Sequence, residues 1–253
     1  MPTLILCDDR QTKQIVPLAT ACHCGIEVQS FWDPEFLKRE PNAISYHQQL
    51  LDGIDTRGLH GPFADLCPGS IDEMVREVAR NRFNLAVQIA QKLNSTHIIL
   101  HHGYVPGTSR PSGWLSRSTV FWRAFLDAVP KSIQIHLENL LEFDPELISE
   151  VVSSINRPNL DICLDIGHAH CNSKRTVIYW IEQLKQQIGW VHMHDNHGGN
   201  DEHLGLGRGN IPMHEVCQAL LEYTPRAVWA LESEVSQTEQ SIKWLKENKL
   251  IFT

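Results

Sequence analysis

Short apolar runs alternate with longer amphipathic stretches along the whole chain. The apolar runs are rich in Ile, Leu and Val and end at Gly, Pro or polar turns, which is typical of strands in a buried parallel sheet. Eight of these runs are predicted to be strands: Thr3–Cys7, Ile26–Phe31, Gly58–Phe63, His97–His101, Ile133–Asn139, Asp161–Ile166, Trp190–Asp195 and Val228–Glu232.

Helix signals occupy the stretches between the strands. The segment Ser70–Glu73 has the form of a capping box and predicts a long helix that ends near Leu93. A second capping box, Ser236–Glu239, predicts the start of the last helix, whereas Pro17 interrupts the pattern of the first. Other predicted helix starts are Asp33–Pro34, Asp144–Pro145, Ser173 and Asn210.

Eight strands that alternate with helices predict one α/β domain, a single (β/α)₈ TIM barrel over residues 1–253. This fold typically takes ~250 residues. An open doubly wound sheet is the alternative, but no glycine-rich nucleotide-binding loop follows the first strand.

Composition limits the environment and the partners. Hydrophobic residues make up 42% of the chain, enough for a sizeable core, yet no apolar run is long enough to cross a bilayer and no secretory signal is evident. We therefore expect a cytoplasmic protein with no membrane partner. The seven scattered cysteines are expected to be reduced thiols. A net charge of -8 argues against general affinity for nucleic acid, although a local basic groove would be compatible with it.

Histidines and carboxylates stand at the carboxyl ends of six consecutive predicted strands, where the active site of such a barrel lies. The segments are His60-Gly-Pro-Phe, His101-His102-Gly, His136-Leu-Glu138, Asp165-Ile-Gly-His168, His192-Met-His194-Asp195 and Leu-Glu232. Crowded carboxylates and imidazoles carry large desolvation and repulsion costs unless a cation neutralises them. A mixture of nitrogen and oxygen donors without Cys predicts one to three divalent ions of zinc, manganese, iron or cobalt.

Together with the segment Asp201-Glu-His203-Leu-Gly-Leu-Gly-Arg208-Gly, these motifs resemble those of the xylose isomerase-like TIM barrels, a superfamily that includes the endonuclease IV group. The resemblance covers essentially the whole chain. For sugar isomerases and epimerases it implies one metal held by Glu138, Asp165, His192 and Glu232. The endonuclease IV pattern adds five ligands for a three-zinc cluster: His60, His101, His168, Asp201 and His203. His101 is preferred to His102 because of its spacing from the following glycine.

Six further residues are predicted to contact substrate. His102, His136 and His194 lie next to predicted ligands, and Arg208 is a candidate for binding a phosphate. The loop Tyr104–Arg117 is predicted to be a lid in which Tyr104 and Trp114 could stack on a sugar ring.

The resemblance implies two reactions. A sugar or sugar phosphate isomerase or epimerase would use Glu138 and Glu232 as base and acid, with His168 holding a substrate hydroxyl. The alternative is a multinuclear zinc phosphodiesterase acting on apurinic DNA or a small phosphoester, in which Glu138 bridges two ions. Position 63 is Phe where the endonucleases have Tyr, and position 208 is Arg where they usually have Glu. The isomerase is preferred, and a barrel that binds metal and ligand without catalysis is a third hypothesis. The sequence leaves the oligomeric state open.

Overall fold

The computed structural model describes residues 2–251. Eight parallel strands close a barrel in chain order, with the first strand paired to the last. The predicted single (β/α)₈ barrel is thus confirmed, while the predicted domain limits, 1 and 253, lie outside the described residues. The strands are β1 (Leu4–Cys7), β2 (Gly25–Val28), β3 (Arg57–His60), β4 (His97–His101), β5 (Gln134–Glu138), β6 (Leu160–Asp165), β7 (Ile188–Met193) and β8 (Val228–Leu231).

Most strands end earlier than predicted. β2 ends at Val28 because the chain turns into a short 3₁₀ helix, Ser30–Trp32. β3 ends at His60, and Pro62, which has no N–H group for the ladder, follows two residues later.

Helices pack around the barrel, and several begin at residues other than those predicted. They are α1 (Thr12–Cys22), α2 (Phe36–Arg39), α3 (Ala43–Leu50), α4 (Glu73–Leu93), α5 (Pro111–Ala128), α6 (Glu146–Ile155), α7 (Ile166–Asn172), α8 (Val177–Leu184), α9 (Met213–Tyr223) and α10 (Val235–Glu247). The N-cap of α4 is Asp72, whose carboxylate accepts from the Met74 amide at 2.8 Å, and not Ser70. Ser236 lies inside α10, so the second predicted capping box is wrong.

The other predicted starts are also displaced. Ser173 ends α7, and Thr176 caps α8. Proline precedes α6 and α9 directly, so the starts predicted at Asp144 and Asn210 are one and two residues early. α2 starts at Phe36, after the turn in which Asp33 accepts from the Glu35 amide.

Along each strand, side chains point alternately into the barrel interior and towards the helices outside it. On β4 and β5, Ile98, Leu100, Ile135 and Leu137 pack in the large cluster between strands and helices. Residues of the opposite parity point into the barrel, where a small cluster forms its floor: Ile5, Cys7, Ile99, Cys163, Trp190 and Ala230. The polar side chains at the strand ends lie on this same inner face, directly above the floor. All seven cysteines are free thiols, as predicted.

Within residues 2–251, no helix combines the length and apolar character that a membrane span requires.

Candidate metal centre

Five strands and the residue that directly follows β8 contribute one side chain each to the top layer of the barrel interior. The strand register places His101 opposite Glu138 and Asp165 opposite His192, so the layer follows directly from strand parity. All six residues are at most 8% exposed. They are His60, His101, Glu138, Asp165, His192 and Glu232.

Glu138 lies at the centre of this layer. Its Oε2 is 3.1 Å from Nε2 of His60 and 3.2 Å from Nε2 of His101. Its Oε1 is 3.2 Å from Nδ1 of His192 and 3.5 Å from Nδ1 of His168. The two oxygens therefore face different groups of imidazoles, which is the arrangement of a carboxylate that can bridge two cations.

Three imidazoles have a fixed orientation because Nδ1 meets a backbone carbonyl, which can only accept a hydrogen bond. His60 bonds the carbonyl of Gly61 at 2.9 Å, His168 that of Asn139 at 2.8 Å, and His203 that of Glu232 at 3.1 Å. Each therefore carries its proton on Nδ1 and leaves Nε2 free for a ligand. This is how metal-binding histidines are usually held.

His192 is oriented in the opposite sense. Its Nε2 faces Glu27, while its Nδ1 faces three carboxylates. The distances from Nδ1 are 3.0 Å to Oε2 of Glu232, 3.2 Å to Oε1 of Glu138 and 3.8 Å to Oδ2 of Asp165. Four strands thus bring one nitrogen and three carboxylates to a single point.

A third group of donors lies nearer the mouth. Oδ2 of Asp201 is 3.2 Å from Nε2 of His168 and 2.8 Å from Nε2 of His203. Asp195 anchors the loop after β7 that carries Asp201 and His203. One of its oxygens accepts from the amide of Ile211 and the other from that of Gly207.

Two neighbouring imidazoles hold the carboxylate of Asp201 in its ionised form. Burial raises the pKa of Asp201, but hydrogen bonds from His168 and His203 outweigh it and keep this pKa well below its usual range. Burial lowers the pKa of His203, yet Asp201 and Glu232 raise it to about 9. Without a cation, a proton on His203 therefore balances the charge of Asp201, and a bound cation would take the place of that proton.

The donor set fits divalent metal. His60, His101 and Glu138 form one group whose donor atoms lie within 4.8 Å of one another, and His168, Asp201 and His203 form a second. The point shared by His192, Glu138, Asp165 and Glu232 is a third. Oε2 of Glu232 is buried and, among the described residues, has no partner with hydrogen-bond geometry. A bound cation would supply the partner that this oxygen lacks. The structure brings all nine predicted ligands together.

His102 lies outside this cluster. Its Nδ1 is 2.7 Å from Oε1 of Glu142, and its ring packs edge-on against Trp114 at 4.3 Å between centroids. The neighbouring His101 is the residue that reaches Glu138. The expectation that His102 contacts substrate is therefore corrected, because consecutive strand residues point to opposite sides of the barrel wall.

His136 and His194 flank the cluster on two sides. His136 faces the interior one layer below Glu138 and bonds Asp161, and its ring lies tilted against Trp190 with 5.1 Å between centroids. It therefore belongs to the barrel floor rather than to a substrate site. His194 Nε2 is 3.1 Å from each oxygen of Asp165. His194 therefore holds this carboxylate in place.

The predicted lid is only partly a loop, because α5 begins at Pro111. Trp114 has no exposed surface and packs against Gly69, so it cannot stack on a sugar. The Tyr104 hydroxyl donates to the Ser109 carbonyl, and the ring packs on Trp114, away from the cluster. Arg208 is exposed and donates to Gln240 of α10, so it does not line the site.

A cavity of about 400 Å³ opens above the cluster, and sequence reasoning missed most of its walls. Trp32 and Phe63 stack at 5.5 Å between ring centroids on one side. Gln29 donates to Oε1 of Glu232 at 2.6 Å. The charged residues around the mouth are mainly acidic: Asp9, Arg10, Glu202, Glu232 and Glu234. Glu27 was also missed, although a lone carboxylate in the middle of an apolar strand was a visible signal.

Comparison with known proteins assigns the family. A family model described as xylose isomerase-like TIM barrel matches residues 24–248, which are most of the chain. The chain belongs to the xylose isomerase-like TIM barrel family. An uncharacterised protein of Methanocaldococcus jannaschii is 34% identical to this chain over 222 residues. The match covers 82% of this chain and 75% of the archaeal protein.

Two solved structures share the fold over nearly the whole of this chain. A D-tagatose 3-epimerase-like protein superposes with a TM-score of 0.78 at 28% identity, covering 98% of this chain and 97% of its own. The IolI protein, whose structure contains a bound zinc atom, superposes with a TM-score of 0.75 at 18% identity over 99% of this chain and 97% of its own. The second similarity shows the fold alone.

Proposed function

We propose that this xylose isomerase-like barrel is a metal-dependent enzyme acting on a small sugar. It would be an isomerase that moves a proton between adjacent carbons, or an epimerase that removes a proton from one carbon and returns it to the opposite face. The observation that carries the proposal is the convergence of Glu138, Asp165 and Glu232 on Nδ1 of His192. The likeness to a D-tagatose 3-epimerase-like protein supports a sugar as substrate. Zinc in a structural neighbour is compatible with a divalent cation here.

A divalent cation at this point would hold substrate oxygens and neutralise the negative charge that develops on them. Glu138 and Glu232 would then exchange the carbon-bound proton, one as base and the other as acid. Burial raises the pKa of Glu232, but His192 and His203 lower it by more, so this carboxylate is ionised at neutral pH, the form that a base requires. His168 would hold a substrate hydroxyl.

The mouth of the cavity favours an uncharged sugar over a sugar phosphate. Trp32 and Phe63 offer aromatic surface for the apolar face of a sugar. Arg10 is the one Lys or Arg among the residues that line the cavity, and it is already paired with Asp9 at 2.7 Å. An anionic substrate would meet several carboxylates there and no unpaired Lys or Arg among the lining residues.

The test combines metal content with proton exchange. The protein is purified without chelators or a metal-affinity tag, and bound metal is measured by elemental mass spectrometry. Ketoses and their phosphates are then incubated with it in D₂O and examined by NMR for deuterium on carbon. Glu138→Gln and Glu232→Gln should abolish exchange, whereas Glu142→Gln, which removes a buried carboxylate outside the cluster, should retain it. Exchange that survives in the first two variants would refute the mechanism.

One observation favours a second function, a zinc phosphodiesterase. The three donor groups around Glu138 could accommodate more than one ion, as that reaction requires. Two or three zinc ions per chain, together with cleavage of apurinic DNA or of a small phosphodiester, would establish it. One ion per chain with sugar exchange would exclude it.

A further inference from the structure

Glu27 is an unusual residue for the inside of a barrel. It stands in the middle of β2, between Ile26 and Val28, which pack in the outer core. Its side chain has no exposed surface. A buried carboxylate is costly unless it is paired and fully hydrogen-bonded, so its neighbours identify its role.

Two ring N–H groups face Glu27 from β7. Trp190 donates its indole Nε1 proton to Oε2 at 3.0 Å. Nε2 of His192 lies 3.0 Å from Oε2 and 3.2 Å from Oε1. Because a carboxylate accepts and cannot donate, this contact places a proton on Nε2 of His192.

The proton on Nε2 decides what His192 offers to the cluster. With Nε2 protonated, Nδ1 is the nitrogen that can present a lone pair to the point shared with Glu138 and Glu232. His60, His168 and His203 are fixed in the other sense by backbone carbonyls. His192 alone among these four is held by a charged side chain.

We propose that Glu27 is a positioning residue that holds His192 in the Nε2-protonated form, so that Nδ1 coordinates the metal. This inference rests on the proposed metal site. The carboxylate also makes the imidazole a stronger donor to metal, because it stabilises the partial positive charge that coordination places on the ring. Trp190 keeps Glu27 in place, so the floor of the barrel supports the metal layer above it.

Zinc affinity tests the proposal without an assay of activity. Zn²⁺ is titrated into metal-free protein in competition with a chromophoric chelator. Glu27→Gln keeps the size of the side chain and one accepting oxygen but loses the charge, and it should weaken zinc binding about 10- to 100-fold. Glu142→Gln is the matched control, because Glu142 is also a buried carboxylate beside a histidine but stands outside the cluster. Its affinity should stay within about threefold of the parent, well short of the loss expected at Glu27.

Nitrogen NMR of the unsubstituted protein supplies a second readout. It reports which nitrogen of His192 carries the proton, and a purely structural role of Glu27 makes no prediction about this. In the zinc-loaded protein, His192 should show a protonated Nε2 and a metal-bound Nδ1. The opposite assignment would overturn the proposal even if Glu27→Gln failed to fold. Equal zinc affinity of Glu27→Gln and the parent would also overturn it while leaving the metal site intact. If the parent bound no zinc, the proposed metal site and this inference would both fail.

Discussion

Acidification should destabilise the barrel through His97, at the lower end of β4. Its Nδ1 is 2.9 Å from Nε2 of His136, whose Nδ1 in turn bonds Asp161. Because Asp161 accepts the proton on Nδ1 of His136, Nε2 of His136 is left to accept from His97. The imidazole of His97 also packs on Trp190, with 5.0 Å between ring centroids. Burial and the neighbouring His136 lower the pKa of His97 to about 4, against an opposing effect of Asp161.

The sign follows from the two states. The folded protein keeps His97 neutral between pH 6.5 and 4, where the unfolded chain protonates it. The contribution of neutral His97 to stability is therefore fully present above about pH 6.5 and is lost as the pH decreases towards 4. At about 1.4 kcal/mol per pH unit, the loss reaches about 2 kcal/mol at pH 5 and has an upper limit of about 3 kcal/mol.

The assay is urea unfolding of metal-free protein at pH 7 and pH 5, for the parent and for His97→Gln. Other groups titrate in this range, so the quantity of interest is the difference between the two proteins. The parent should lose about 2 kcal/mol more than the variant over this interval. Equal losses, or an NMR titration of His97 with a midpoint near 6.5, would refute the reasoning.

Three further outcomes are expected. Chelation should lower the Tm by about 5–10 °C and zinc should restore it, since a ligand at 100 times its Kd adds about 2.7 kcal/mol to stability; a Tm that chelator does not change in metal-containing protein would contradict this. Gly167→Ala should lower the free energy of unfolding in urea by about 1–3 kcal/mol, because an added Cβ would lie 1.9 Å from Cε1 of His194. A Cβ at Gly199 would meet nothing within 4 Å, so Gly199→Ala should be nearly neutral. Trp32→Ala should raise KM for the sugar about three- to tenfold with little change in kcat, while the exposed Phe143→Ala should change neither; equal effects would remove Trp32 from the binding site.

The barrel could be predicted because its signals are repeated along the chain. Every βα unit carries its own apolar run, so errors of a few residues at the end of β2 or β3 do not change the topology. Helix starts were less predictable, because Ser70 and Asp72 are both good capping residues and only the backbone conformation at Asp72, with φ -78° and ψ 122°, selects between them.

The cluster was predictable for a related reason. Chain order and strand parity together assign one inward position to the end of each strand, so the residues that meet there can be named in advance. The packing of side chains could not be derived in this way. Trp114 belongs to a helix rather than to a lid, and Glu27 stands inside a strand, away from the strand ends where the chemistry of such a barrel is expected.

The distribution of the cluster over six strands also bears on how the protein is made. During synthesis His60 emerges long before Glu232, and Glu232 directly follows β8, the strand that pairs with β1 to close the barrel. A partly synthesised chain therefore lacks both the closing strand and a carboxylate of the cluster. Barrel closure and capture of the ion should be a single late event in biogenesis, so a shortage of metal in the cell would first appear as chains that complete synthesis but close slowly.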